Sequence, residues 1–208
     1  MDVAPISAEA RTNRRRAEVK ARLRTAMLEL LAETSFRDLR IEDIAEAAGL
    51  SRSAFYFYYS DKQELLIEAT DAMSDALFEQ ADRWWHGQGE PAALITEALV
   101  GVAGLWVENE VLLRTATEVS TYDERMRVFW HQLVSRFVEA TAEFISREQG
   151  DGSIDLRVDP RGTAETLIWG AERSLYVFIF ASTGGRPIDE LVDSLAAVWL
   201  RALYCRYE

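Results

Sequence analysis

Cysteine occurs once in these 208 residues, at Cys205, and histidine only twice, at His86 and His131. An intramolecular disulfide is therefore excluded, and the supply is too small for a zinc cluster. No Gly-rich phosphate loop, metal-ligand spacing or nucleophile elbow is present, so neither an enzyme nor a cofactor is expected. Long apolar runs are missing as well. The most apolar stretch, Leu167 to Ala181, is broken by Glu172 and Arg173 and falls short of the roughly 20 residues that a bilayer span takes. The arginines near the N-terminus lack the apolar run of a signal peptide behind them. These absences describe a reduced, cytoplasmic chain with no membrane partner.

A basic excess is also lacking, since the net charge is −12, but the deficit is unevenly spread. Residues 1–62 hold 11 Lys and Arg against 10 Asp and Glu, which leaves 12 against 25 for the rest. Within the first part, Arg11, Arg14, Arg15, Arg16, Lys20, Arg22 and Arg24 are opposed only by Glu18. Such a local cluster is what phosphate binding requires, because each neutralised phosphate releases condensed counterion. An acidic remainder is repelled by a duplex and favours one docking orientation. Read by charge alone, the same arginines fit a solvated helix face equally well.

Nothing alternates with the strand period over a useful length, and 49% hydrophobic residues suffice for a core. The pattern predicts an all-α chain of about nine helices. They fall near 13–34, 41–48, 51–59, 61–85, 91–108, 110–118, 121–149, 160–182 and 187–206. Capping boxes are expected at Ser60 with Gln63 and at Asp61 with Glu64. Pro91 suits a first helical turn, and residues 150–153, Gly-Asp-Gly-Ser, form the clearest linker. The last helix presents Leu191, Leu195, Val198, Trp199 and Ala202 at three- and four-residue steps.

The most informative segment is IEDIAEAAGLSRSAFYFYYSDK, residues 41–62. Ile41, Ile44, Ala45 and Ala48 give a short helix one apolar face. Gly49 can take the positive φ needed just past its end, and Ser51 can cap a second helix by accepting from an orphan backbone N–H. Polar residues open that second helix and rings close it. This is the plan of a helix-turn-helix, and it predicts a DNA-binding domain over 1–62 and a second, helical domain over 63–208. Arg40, just before Ile41, cannot accept the capping hydrogen bond, a loss of about 1 kcal/mol that Glu42 and Asp43 offset in part.

The basic first helix, IEDIAEAAGLS, SRSAFYFYYSDKQELL and an all-helical remainder together resemble the tetracycline-repressor (TetR) family of bacterial transcription regulators. The FYFYY run, the ERSLY segment and the AAVWLRALY ending look most like its ethionamide-resistance repressor branch. The resemblance implies a homodimer with two DNA-reading heads and a ligand cavity in each regulatory domain. Carried over by residue, it places Ser51, Arg52 and Ser53 at the head of the recognition helix. Arg52 is the candidate for two hydrogen bonds to guanine. Tyr56 matches the family's aromatic phosphate contact, and Tyr58 stands where many members have histidine. Lys62 matches a lysine that grips phosphate together with helix N-terminal amides. Arg14, Arg15 and Arg16 are candidates for the DNA backbone or minor groove. Phe55, Phe57 and Tyr59 are expected to pack as a small core.

The same resemblance assigns a ligand site to Ile95, Leu99, Val102, Trp106, Trp130, Val134, Phe137, Thr141, Ile168, Ala171, Leu175, Tyr176 and Trp199. Ile168 and Ala171 lie where that branch offers asparagine amides. A more hydrophobic effector is therefore implied, oriented by Thr141, Glu172 or Tyr176. A helix apolar on nearly every side, such as 167–181, needs cover on every side, which points to a homodimer through the last two helices. The expected function is a ligand-responsive repressor that binds a palindromic double-stranded DNA operator and is released by a small hydrophobic effector. The alternative is a helical ligand-carrier or protein-interaction module that has lost DNA binding.

Overall fold

The computed structural model describes residues 8–181 and 187–205. Among the described residues the chain forms nine α-helices, one π-helical turn and no strand: α1 Ala8–Leu31, α2 Ile41–Ala47, α3 Arg52–Phe55, α4 Lys62–His86, α5 Pro91–Glu108, α6 Glu110–Ser120, α7 Glu124–Gly150, α8 Pro160–Tyr176, the π-turn Val177–Ala181 and α9 Ile188–Tyr204. Arg206, included in the expected last helix, lies outside the described residues.

The contacts divide the chain into a unit ending at Ala69 and a second starting at Thr70. The sequence reading put the division after residue 62, at the start of α4. The difference has a physical cause, because Leu65, Leu66 and Ala69 in the first two turns of α4 are core residues. In the first unit, Val19, Leu23, Met27 and Leu31 of α1 are buried, as are Ile44 and Ala45 of α2, Phe55 of α3 and Tyr59. Helix α1 stops at Leu31 rather than Thr34. The ladder tightens there, with both Glu33 N and Thr34 N donating to Leu30 O, and Ser35 and Asp38 bond to each other in the turn that follows.

In the second unit α7 packs on α8, α5 on α9, α6 on α7 and α8 on α9. Asp123 caps α7 by accepting from Met126 N, and Asp159 caps α8 by accepting from Gly162 N ahead of Pro160, each worth about 1 kcal/mol. Helix α8 was expected to run regularly to 182. Instead its last turn widens to π geometry, with the Phe180 ring 5.4 Å from Tyr176 and 6.1 Å from Trp106. Helix α5, rather than 167–181, is the described helix long and apolar enough to cross a bilayer; Ile95, Ala98, Leu99, Ala103 and Trp106 of α5 are buried in this unit.

Helix α9 buries Val192, Ala196, Trp199 and Leu203. Of the face expected from periodicity, only Trp199 is fully covered, while Leu191, Leu195 and Ala202 are half-buried and Val198 is 56% exposed. Both stripes have helical spacing, so an apolar row is left over on the outer side of α9.

Candidate nucleic-acid interface and apolar cavity

Helix α2 ends in a turn whose geometry follows from Gly49, at φ +67°, a conformation that costs a residue with Cβ about 1–2 kcal/mol. Gly49 N donates to Glu46 O and Leu50 N to Ala45 O. Ser51 then caps α3, its Oγ accepting from Ala54 N at 3.2 Å, and touches Ser53 Oγ at 3.0 Å. The α-helical part of α3 is shorter than expected, ending at Phe55. Phe57 N and Tyr58 N donate three residues back, and Tyr59 N closes on Phe55 O.

This backbone leaves Ser51, Arg52 and Ser53 exposed with Tyr56, which is 46% exposed, beside them. Tyr58 is half-buried. Arg52 Nη1 is paired with Glu42 Oε1 at 2.8 Å, and the guanidinium stands 5.9 Å from the centre of the Tyr56 ring. Phe55 and Tyr59 form a small core with centroids 5.8 Å apart. Phe57 departs from that expectation and is 81% exposed, because the tightened turn after Phe55 directs it outward. The Tyr59 hydroxyl donates to Glu68 Oε1 at 2.8 Å, Lys20 pairs with the other oxygen of Glu68, and burial pushes the Tyr59 phenol far above its ordinary pKa.

Helix α2 has no side-chain cap, as its sequence implied. Arg40 instead grips Asp43 with two hydrogen bonds of 2.9 and 2.7 Å, which hold the Asp43 carboxyl below its usual range. Helix α4 is capped by Asp61, which accepts from Glu64 N at 2.9 Å. Glu64 reaches back to the N and Oγ of Ser60, so Ser60 serves Glu64 and the expected Ser60 and Gln63 box does not form. Lys62 Nζ donates to the carbonyls of Phe36, Arg37 and Leu39 at 2.6, 3.2 and 2.7 Å and lies over the Phe36 ring. Partial burial lowers its pKa, against the charge of Asp38. Arg14, Arg15 and Arg16 project from α1 into solvent, with Arg14 Nε 3.0 Å from Glu18.

The second unit contains a cavity of about 90 Å³ walled by α4, α5, α7, α8 and α9. Leu99, Val102, Trp106, Trp130, Val134, Phe137, Ile168, Ala171, Leu175 and Trp199 line it. Ile95 and Thr141 are fully buried without reaching the wall, and Tyr176 is half-buried elsewhere. Thr141 acts one step back, because its Oγ1 accepts the indole N–H of Trp85 at 3.2 Å and Trp85 is a wall residue. Leu77, Ala81, Trp84, Trp85, Ala98 and Leu133 also line it, and the sequence reading missed all six. Adjacent Trp84 and Trp85 were the available signal: two consecutive tryptophans, each 2% exposed, mean that α4 is covered on more than one side. Rings of Trp84 and Trp199 stand 5.1 Å apart, and those of Trp106 and Trp130 6.4 Å apart.

Glu172 is the one charged residue on this wall. It is 7% exposed, and among the described residues neither carboxylate oxygen has a hydrogen-bond partner. Arg173 Nε is 3.7 Å from Oε2, while the Arg173 side chain is 56% exposed and its guanidinium lies over the Tyr176 ring. Burial pushes the Glu172 carboxyl up, opposed by the Arg173 charge and more weakly by the Trp130 indole, which approaches without completing a hydrogen bond.

Two family descriptions match the chain: "Bacterial regulatory proteins, tetR family" over residues 23–69 and "Transcriptional regulator EthR, C-terminal domain" over residues 95–205, more than half its length. The chain belongs to the TetR family of helix-turn-helix transcription regulators, with a C-terminal domain of the EthR type. Among its relatives, the HTH-type transcriptional regulator EthR of Mycolicibacterium smegmatis is 25% identical over 84% of this chain and 81% of its own length. A Rhodococcus sp. protein described as TetR-family shares the fold with TM-score 0.72 at 23% identity, covering 88% of this chain and 99% of that one. A Saccharomonospora viridis protein in complex with choline does so with TM-score 0.72 at 18% identity, covering 91% and 100%.

Proposed function

We propose that the chain is a cytoplasmic, homodimeric repressor that occupies a palindromic operator and is released when a small, largely apolar effector enters the α4–α9 cavity. The observation that carries this reading is the Gly49 turn with its Ser51 cap, which leaves Arg52, Ser53 and Tyr56 exposed together. Arg52 reads a guanine edge, Tyr56 and Tyr58 touch phosphate, and Arg14, Arg15 and Arg16 neutralise backbone. Lys62 contributes amide-end charge while it anchors the 36–39 turn, and Phe57, free of any packing duty, adds an apolar contact in the groove.

The leftover apolar row Leu191, Leu195, Val198 and Ala202 on α9, with half-buried Trp169 and exposed Val177 following α8, supports a dimer through these helices. Two-fold symmetry sets half-sites about 34–36 Å apart or at a multiple of that. Release works through α4, which runs from the first unit into the second. An effector wedged among the aromatic walls tilts α4 and spreads the reading heads, provided that it binds the spread state better by about 1–3 kcal/mol. The Saccharomonospora viridis protein of the same fold is described in complex with a small molecule, choline.

Fluorescence anisotropy with the protein's own upstream fragment tests the reading. Binding that collapses when Arg52 becomes Ala, with flattened base preference, is the expected result. Equal binding by Arg52→Ala overturns the assignment.

A further inference from the structure

The cavity holds a carboxylate whose one near counter-charge, Arg173, stands at 3.7 Å. Glu172 is more than nine-tenths buried on an otherwise apolar wall, and among the described residues neither of its oxygens accepts a hydrogen bond. Its neighbour Arg173 does not serve it: Nε stands at 3.7 Å, beyond hydrogen-bond distance, and the guanidinium is committed outward over Tyr176. A carboxylate kept dry without donors is costly, of the same order as a lost charged hydrogen bond. Ordinary packing gives no return for that cost, since glutamine or leucine would fill the same volume. A ligand that brings the missing donor gives one.

The rest of the wall narrows the choice of donor. Five of the six tryptophans in the chain line this cavity, and indole faces attract cations more strongly than other side chains do. The remaining lining is Ala, Leu, Val, Ile and Phe, suited to a hydrocarbon body. Resting on the cavity reading above, we propose that the effector is an apolar organic amine, bound as its cation with an N–H donated to Glu172 and the charged head against the indole faces. A neutral lipid or ester satisfies the hydrocarbon wall and leaves Glu172 as unpaired as before.

Pairs of isosteres separate the two. N,N-dimethylbenzylamine, protonated at neutral pH, is matched in shape by isobutylbenzene, and benzyltrimethylammonium by neopentylbenzene. Binding to the full-length dimer is followed by tryptophan fluorescence and calorimetry, and release by anisotropy of an operator fragment. The protonated amine is expected to bind about 10-fold or more tighter than isobutylbenzene, the scale of a hydrogen bond to a charged group, with the quaternary ion between them. Glu172→Gln is expected to erase that preference while isobutylbenzene binds as before. Wild-type protein that takes the hydrocarbons as well as the amines overturns the amine assignment and leaves the effector cavity standing. If neither kind of probe binds, the cavity reading itself falls, and the amine with it. The wild-type comparison does not depend on the variant folding.

Discussion

Glu42 of α2 holds Arg52 of α3 at 2.8 Å, so the guanidinium proposed to read a base is already engaged by a carboxylate from the neighbouring helix. Both side chains are largely exposed, and pairs of this kind contribute about 0–1 kcal/mol. Glu42→Gln therefore frees Arg52 and raises operator affinity by up to about 5-fold at low salt, measured by anisotropy. Arg52→Ala removes about 1–3 kcal/mol of discrimination at one base pair, read from operator variants.

Phe57 separates reading from folding. With 81% of the Phe57 surface in solvent, Phe57→Ala is expected to leave folding stability unchanged within about 0.5 kcal/mol and to weaken DNA binding. Phe55→Ala, which removes a fully buried ring, costs about 3–5 kcal/mol and is expected to unfold the head. Circular dichroism of both variants beside anisotropy checks the contrast.

Lys62 is bound to three carbonyls at the turn before α2. Lys62→Met strands those acceptors and is expected to destabilise the first unit by about 1–3 kcal/mol. A purely DNA-facing lysine would instead leave the melting curve in place and lower only the salt slope of binding.

The Glu172 carboxyl titrates above its ordinary value because it is buried, with Arg173 the charge that opposes the shift. A raised native pKa means that the native state holds its proton more tightly than the unfolded chain. The carboxylate is therefore harmless below the ordinary glutamate range and destabilising once the pH has risen through the raised value. Glu172→Gln is expected to stabilise the protein at neutral pH by about 1 kcal/mol, and the advantage should fade as the pH falls below that range. Denaturant unfolding across pH reads both signs.

Short-range chemistry made the reading head legible. Gly49, Ser51 and Asp61 act within four residues, and the turn and both caps follow from their side chains. Where a face must choose its partner, sequence period gave no decision: α9 carries two apolar stripes at helical spacing, and the stripe with Val192, Ala196 and Leu203 is the one the unit covers. The cavity was legible in α5, α7 and α8, where the family resemblance supplied positions. It was missed in α4, because Trp84 and Trp85 become a wall only through contact with helices far along the chain. Thr141, expected at the ligand, lies behind the wall and accepts the Trp85 indole N–H.

The central claim is a duplex-reading head, and titrating the protein's own upstream fragment against full-length protein over a series of salt concentrations tests it most directly. Saturable binding at low salt that falls by about 10³-fold or more between 50 and 200 mM is the expected result, as several neutralised phosphates per dimer require. Protein that ignores both that fragment and random duplex at low ionic strength contradicts it.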